Sequence, residues 1–273
     1  MLMKRNFRLE LSFKNIDELE KKIKFCTNNN IYNINIPCKG VIKKALLENV
    51  IEFIGTNYSR FDVVYHYSCN HQYSLSIDNS YLGLFEFISK CAKYNNQDIL
   101  LVSGTNKKKS FESLSVLNNL NKISKLEYNF GIAYNPYFPK TTDIYNERKR
   151  FVNKLESGLI KSVWVQFGSD INRLKNEIIF IKEQLKKYSE TYNSSISIYG
   201  SLFVPTKQFL ARFKFRPWKS VFLSNEYLSS LDCSNEITKN IAELYSINNI
   251  FPLIETQCST LNDLDQIYKL LNI

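Results

Sequence analysis

Short apolar segments rich in β-branched and aromatic residues alternate along the chain with longer segments whose apolar residues recur at helical spacing. The clearest example lies between Val64 and Thr105, where VYHYSC and DILLVSGT flank a helix-length stretch. Similar segments follow as FGIAYNP, SVWVQFGSD, ISIYGSL and FPLIETQ. Strands buried on both faces and separated by helices are typical of parallel sheets. Polar residues at the carboxyl ends of these strands are therefore the candidates for chemistry.

The pattern predicts eight strands, each followed by at least one helix. The predicted strands cover residues 7–12, 32–37, 62–68, 99–102, 129–134, 163–167, 196–199 and 251–254. The first helix is predicted to begin near Asn15, and a left-handed glycine, Gly158, is predicted to close the fifth. Because no linker-like stretch interrupts the series, we predict one domain over residues 1–273. A single (β/α)8 TIM barrel is the economical α/β fold for 273 residues, and an open doubly wound sheet is the alternative.

The formal net charge of +10 raises the question of an anionic partner. The lysines are spread over nearly every predicted helix, and the only compact basic runs are Lys107–Lys109 and Arg148–Arg150. No apolar run reaches the roughly 18 residues of a membrane span. From this pattern we predict neither a nucleic-acid partner nor a membrane partner.

Cysteine usage indicates a reducing compartment. The six cysteines form no CxxC pair and show no metal-ligand spacing, and the chain begins without a secretory signal. We therefore predict reduced thiols, a cytoplasmic location and no metal site.

Glu10 allows two interpretations. Phe7, Leu9 and Leu11 alternate with Arg8, Glu10 and Ser12 along the first strand. Periodicity alone favours a solvated or bottom-layer polar face. If Glu10 instead faces the barrel interior, burial would favour its protonated form and suit it as a general acid.

Two further strand-end residues are candidates. His66 is one of only two histidines, although a lone histidine is more often structural than catalytic. Gln166 interrupts an apolar strand, and a buried amide needs partners for its donors and acceptor. The sequence contains no GxGxxG, GxxxxGK[ST], GxSxG or HExxH motif, so none of these names a reaction.

The order of strand-end motifs resembles the methylenetetrahydrofolate reductase family over most of the chain, from about Phe7 onward. HYSC at 66–69 is similar to the family's H-L-T-C at the end of the third strand. LLVSGT at 100–105 is similar to the family's strand that ends in R-G-D or T-G-D. GIAYNPYFP at 131–139 is similar to the end of the family's fifth strand and the loop after it. The run 148–170 resembles K-x-x-A-G-A-x-x-x-x-T-Q-x-x-F-D, and LELS places Glu10 at the family's strand-one glutamate.

The resemblance implies a flavin-dependent barrel of one-carbon metabolism and methionine biosynthesis. NADH or NADPH would reduce bound FAD, and the flavin would reduce 5,10-methylenetetrahydrofolate to 5-methyltetrahydrofolate. By the same resemblance, Glu10 would protonate the folate and Gln166 would hold the pterin. The residues implied to contact the flavin are His66, Ser103, Gly104, Thr105, Tyr134, Asn135 and Lys154.

The chain also departs from the family pattern. Thr105 replaces the aspartate after the glycine, Ser103 replaces the arginine before it, and Asn153 replaces the arginine before the flavin lysine. Arg148 or Arg150 could substitute for the lost cations. The departures favour an alternative, a catalytically degenerate barrel that acts as a binding or scaffold subunit. Homo-oligomerisation stays open at this point.

Overall fold

The structure is a computed structural model that describes residues 7–38, 44–94, 96, 98–104, 111–121 and 128–273. The strands are β1 Arg8–Glu10, β2 Asn33–Ile36, β3 Asp62–Ser68, β4 Asp98–Val102, β5 Asn129–Tyr134, β6 Ile160–Val165, β7 Ser197–Leu202 and β8 Phe251–Ile254. The helices are α1 Ile16–Asn28, α2 Lys44–Asn57, α3 Ile77–Lys93, α4 Ser113–Leu120, α5 Thr141–Leu155, α6 Ile171–Tyr192, α7 Lys207–Phe215, α8 Asn225–Ser229, α9 Leu231–Ile247 and α10 Leu261–Leu271.

The eight strands follow one another in chain order around a closed barrel. Parallel registers join β1 to β2, β2 to β3, β3 to β4, β4 to β5, β6 to β7 and β7 to β8. A parallel neighbour requires a crossover connection, and a helix follows every strand. The prediction of a single (β/α)8 barrel is therefore confirmed, and the open doubly wound alternative is wrong. Within the described residues, no helix is both long and apolar enough to cross a membrane.

The contacts within the chain group into two compact units. The first comprises Met1–Ile132 with Ser157–Ile160, and the second comprises Ala133–Glu156 with Lys161–Ile273. We call them unit 1 and unit 2 and describe the side chains of each separately.

Local sequence signals set the helix starts in both units. The Asn15 side chain accepts a hydrogen bond from the Glu18 N–H and caps α1, as the sequence predicts. In unit 2 the Asp170 carboxylate accepts from the Arg173 N–H at the start of α6. These caps satisfy amide groups that the first helical turn leaves without partners.

The region after β7 departs from the predicted pattern. The chain forms α7 and the short helix α8 before α9, and the sequence pattern did not predict α8. Helix α9 begins at Leu231, where the Ser230 side chain caps it by accepting from the Cys233 N–H. Gly158 has the predicted positive φ of 72°, although α5 ends at Leu155.

Candidate functional site

Glu10 is the last residue of β1, and its side chain is buried, with a residue exposure of 5%. Its neighbour on the same face, Arg8, is 4% exposed. The solvated-face interpretation of this strand is therefore wrong, because Arg8 and Glu10 are both buried. The Ser12 hydroxyl lies 3.5 Å from Glu10 Oε1, and His66 Nδ1 lies 4.0 Å from Glu10 Oε2.

Arg8 has several acceptors within unit 1. Its Nε donates to Asn35 Oδ1 at 2.8 Å, and its Nη1 donates to Asp62 Oδ2 at 2.9 Å. Its Nη2 also donates to the backbone oxygens of Ile34 and Asp62. A buried guanidinium requires such compensation, since an unpaired charge away from water is costly.

These contacts determine the protonation of His66. Arg8 can only donate, so the Asn35 side chain must present its oxygen to Arg8 and its Nδ2 to His66. Nδ2 lies 2.9 Å from His66 Nε2, which must therefore accept the hydrogen bond. It follows that His66 is neutral, with its proton on Nδ1, the nitrogen that faces Glu10.

We call Asp62, Arg8, Asn35, His66 and Glu10 the β1–β3 polar chain. The sequence analysis identified Glu10 and His66 but assigned no role to Asn35 or Asp62. One signal was present in the sequence. Asn35 stands between two isoleucines in strand β2, and Gln166 directly follows the apolar end of β6.

A cavity of about 500 Å³ lies at the other, amino-terminal end of these strands in unit 1. Asp62, Asp98 and Asn129, the first residues of β3, β4 and β5, contribute to its wall. Burial raises the pKa of Asp98. Because TIM-barrel enzymes use the carboxyl ends of their strands, we place the candidate site at Glu10 and not in this cavity.

At the end of β4, Gly104 adopts a φ of 78°, in the region that favours glycine. A Cβ at this position would lie 2.5 Å from the Asn70 Cβ, so the backbone approaches the loop after β3 closely. The Ser103 hydroxyl lies 2.7 Å from the Ser113 hydroxyl and accepts from the Ser113 N–H, at the start of α4. Thr105 lies outside the described residues.

Tyr134, the last residue of β5, has its side chain against helices α5 and α6. Its side chain is fully buried, and its ring contacts Phe151 and Phe180 on helices α5 and α6. Its hydroxyl donates to Glu177 on α6. The Tyr134 side chain therefore packs against helices α5 and α6, and its contact with a flavin stays a prediction.

Asn135 and Lys154 are buried in unit 2 with partners from the protein. Asn135 donates from Nδ2 to the Ser220 oxygen at 2.9 Å, and its Oδ1 accepts from the Tyr137 N–H at 3.0 Å. Lys154 is 5% exposed and donates to the Ala133 oxygen at 3.4 Å. Both residues therefore organise the end of β5.

Gln166 follows the last residue of β6 and is half-buried. Its backbone N–H donates to the Tyr134 oxygen. Its side-chain amide has no hydrogen-bond partner among the residues that the structure describes. This amide has the donor and acceptor capacity for a ligand.

The structure thus brings Glu10 and His66 together in unit 1, and Asn135 and Lys154 both contact the end of β5 in unit 2. Whether Glu10, His66 and Gly104 share a cavity with Lys154 and Gln166 stays a prediction. In the described part of the chain, no group of three or more His, Cys, Asp or Glu side chains could hold a metal ion. All six cysteines are free.

The fold and these side chains define a (β/α)8-barrel protein with a buried carboxyl–imidazole pair at the carboxyl end of its first strands. No family model and no curated protein matches the chain. Among solved structures, the chain is similar to an aldo-keto reductase of the silkworm Bombyx mori, with a TM-score of 0.47 and 9% identity over 98% of this chain and 83% of that one.

Two further solved structures are similar at 11% identity. One is the 3-keto-L-gulonate-6-phosphate decarboxylase from Vibrio cholerae, with a TM-score of 0.40 over 87% of this chain and 97% of that one. The other is the dehydroquinate dehydratase and shikimate dehydrogenase from S. pombe, with a TM-score of 0.43 over 100% of this chain and 55% of that one. TM-scores below 0.5 carry no argument about activity.

Proposed function

We propose that the protein is a flavin-dependent reductase of the methylenetetrahydrofolate reductase type, which acts on a folate carrying a one-carbon unit. The observation that carries the proposal is the Glu10 carboxyl group, which is buried at the carboxyl end of β1, with His66 Nδ1 4.0 Å from its Oε2. This is the strand position at which the resemblance expects the proton donor.

A buried carboxyl group can transfer a proton to a substrate nitrogen in a site from which water is excluded. In the proposed reaction Glu10 protonates the folate nitrogen, which opens the ring and leaves the one-carbon group electrophilic. His66 keeps its own proton on Nδ1 because Asn35 occupies Nε2. The Gln166 amide supplies a donor and an acceptor for the edge of the pterin.

FAD would supply the hydride when it is bound. Among the assigned residues, Gly104 is exposed and could be reached by the flavin ring, although Asn70 fills the space at its Cβ position. Lys154 would contribute its positive charge from α5. The Tyr134 hydroxyl is engaged with Glu177, and the side-chain polar groups of Asn135 are engaged with Ser220 and Tyr137.

The scaffold alternative is supported by the contacts of Arg148 in unit 2, which already engage its positive charge. Arg148, which could have replaced the lost cations, binds Glu177 through Nε at 3.0 Å and Nη2 at 2.7 Å. Its guanidinium also lies 4.7 Å from the centroid of the Phe180 ring. Arg148 is therefore held by α6, and a diphosphate would have to compete with Glu177 for it.

The absorbance spectrum of the purified protein distinguishes the two functions. We expect an oxidised-flavin spectrum that NADH or NADPH bleaches in the absence of oxygen. A colourless protein that also fails to take up added FAD would support the scaffold alternative.

Replacing Glu10 tests its role within the proposed reaction. Glu10→Gln should leave flavin reduction by the nicotinamide nucleotide intact and lower folate reduction by roughly 10²–10⁴-fold, the usual contribution of a general acid. Glu183→Gln, an exposed carboxyl group on α6, is the matched control and should change neither half-reaction. Equal loss of both half-reactions in Glu10→Gln would reject the assigned role.

A further inference from the structure

The segment after β7 has a charge distribution unlike the rest of the chain. No acidic residue occurs between positions 191 and 225, whereas this stretch contains the cations Lys207, Arg212, Lys214, Arg216 and Lys219. Four of these five cations lie in RFKFRPWK, residues 212–219, where they alternate with aromatic residues. We call residues 212–219 the basic–aromatic turn.

The basic–aromatic turn is exposed on unit 2. Helix α7 ends at Phe215, a turn follows at residues 219–220, and Ser220 adopts a positive φ of 66°. Every residue from Lys214 to Lys219 is exposed, Phe215 to 91% and Trp218 to 42%. A phenylalanine and a tryptophan together at the tip of a turn form an exposed apolar surface, which calls for a binding explanation.

Aromatic packing anchors one side of the turn. The Trp218 ring meets the rings of Phe203, Phe209 and Phe213 edge to face, with centroids 5.2, 5.4 and 6.0 Å apart. Phe222 continues the chain back toward the barrel and forms a bridge with Gly168. Phe215 makes no ring contact with any described residue. The turn therefore presents one free apolar side chain next to an anchored tryptophan.

We propose that the basic–aromatic turn docks on the anionic surface of a lipid bilayer. Phenylalanine and tryptophan side chains partition into the interface between headgroups and acyl chains. Lysine and arginine around them are attracted to anionic headgroups. In this arrangement Phe215 enters the interface, while Lys214, Arg216 and Lys219 contact the headgroups.

The geometry favours a bilayer over a nucleic acid. Single-stranded nucleic acid binds along a basic groove with a succession of open aromatic faces. Here one aromatic side chain protrudes, and the neighbouring tryptophan packs against its own protein. An exposed apolar side chain flanked by cations suits insertion into a planar interface.

This inference is independent of the proposed activity, and it revises the prediction of no membrane partner made from the sequence. That prediction considered compact basic runs and apolar runs long enough to span a membrane. In the basic–aromatic turn the cations alternate with Phe213, Phe215 and Trp218, so no run forms. The exposure of the turn became visible only in the fold.

Vesicle sedimentation with the full chain tests the proposal. The protein should sediment with vesicles of phosphatidylcholine and phosphatidylserine, more weakly with phosphatidylcholine alone, and less at high salt because salt screens the surface potential. Phe215→Ser should weaken binding about tenfold or more, since a large apolar side chain leaves the interface. Lys214→Gln with Arg216→Gln should weaken it roughly 25-fold, about fivefold for each cation.

Matched controls separate docking from general charge and folding effects. Ile247→Ser removes an apolar side chain that is 79% exposed elsewhere on unit 2, and Lys186→Gln with Lys187→Gln removes two exposed cations from α6. Both controls should bind vesicles as the unmodified protein does. Circular dichroism should show that all variants are folded, as expected for exposed positions.

Several results would overturn the proposal. The protein could fail to sediment with anionic vesicles, or the control variants could lose as much binding as the turn variants. Binding to a single-stranded oligonucleotide that depends on Phe215, without vesicle binding, would assign the turn to nucleic acid instead. Self-association that Phe215→Ser abolishes, again without vesicle binding, would assign it to a second copy of the chain.

Discussion

At the scale of single residues, Asn35 determines the state of the candidate acid–base pair. It is fully buried, and its amide joins Arg8 to His66. An amide is suited to this position because it accepts on one side and donates on the other. An aspartate could only accept, and it would require a proton on His66 Nε2. The chemistry of His66 and Glu10 is thus set by a residue that the sequence analysis did not select.

Replacing Asn35 by leucine should be costly. Asn35→Leu leaves Arg8 Nε and His66 Nε2 without their partner in a buried region, and each unsatisfied group costs about 1–3 kcal/mol. We expect the free energy of unfolding to fall by roughly 2–5 kcal/mol in urea denaturation. Asn57→Leu is the control, because this exposed amide donates only to the Phe53 oxygen. A loss of similar size in both variants would show that Asn35 has no special role.

At the scale of elements, a partly buried ion pair joins helices α5 and α6 beside Tyr134, the last residue of β5. Glu177 on α6 accepts from Arg148 on α5 and from the Tyr134 hydroxyl. Burial and the Glu177 hydrogen bond raise the pKa of Tyr134, so its phenol stays protonated and donates. The pair is asymmetric, since the Arg148 side chain is 39% exposed and the Glu177 side chain only 3%.

This asymmetry predicts unequal effects of removing the two partners. Arg148→Ala leaves the buried Glu177 carboxylate without its ion-pair partner and should lower the free energy of unfolding by about 3–5 kcal/mol. Glu177→Gln releases an arginine that can reach water and keeps a polar group for Tyr134, so it should cost only about 1–2 kcal/mol. Thermal and urea unfolding of both variants would check the order. A larger loss for Glu177→Gln would contradict the assignment.

At the scale of the whole molecule, buried phenols and thiols are a common feature of the interior. Burial raises the pKa of Tyr227 to about 12 and the pKa of Cys258 to about 12. It also raises the pKa values of other buried groups, among them Tyr65, Tyr67, Tyr137, Tyr245 and Cys91. These groups keep their protons in the folded protein at pH values where the unfolded chain has lost them.

The fold should therefore be lost in alkali. A group whose pKa is raised by folding gives its full stabilisation below its unfolded value, here 9.0 for thiols and 10.0 for phenols, and loses it as the pH rises toward its folded value. For Tyr227 alone, the free energy of unfolding should fall by about 1.4 kcal/mol per pH unit between pH 10 and about 12. Urea denaturation across this range measures the slope.

Two phenylalanine variants make the alkaline prediction specific. Tyr227→Phe removes the buried phenol. The free energy of unfolding should then fall less steeply between pH 10 and about 12, by about 1.4 kcal/mol per pH unit. Tyr145→Phe, at a tyrosine that is 67% exposed, should leave the slope unchanged. Gradual ionisation of all tyrosines without unfolding would contradict the role assigned to burial.

The fold was largely predictable, because its signals are local. Strands β3, β5 and β8 agree with the predicted ranges, and Asn15 and Thr206 mark helix starts by their own side chains. The candidate site was predictable only in part. Glu10 and His66 could be selected from their strand ends, but the outward direction of Tyr134 depends on how β5 packs against α5 and α6. When both faces of a strand are buried, the sequence pattern does not show which side chains point into the barrel and which pack against the surrounding helices.

The sequence by itself determined the order of strands and helices, the caps and the polar residues at strand ends, because propensity, periodicity and hydrogen-bonding capacity belong to short segments. Only the tertiary structure decided which polar groups meet. Arg8, Asn35 and His66 come from three strands, and the tautomer of His66 follows from their contact. The exposure of Phe215 was likewise decided by tertiary packing, since whether an aromatic side chain is covered depends on what folds over it.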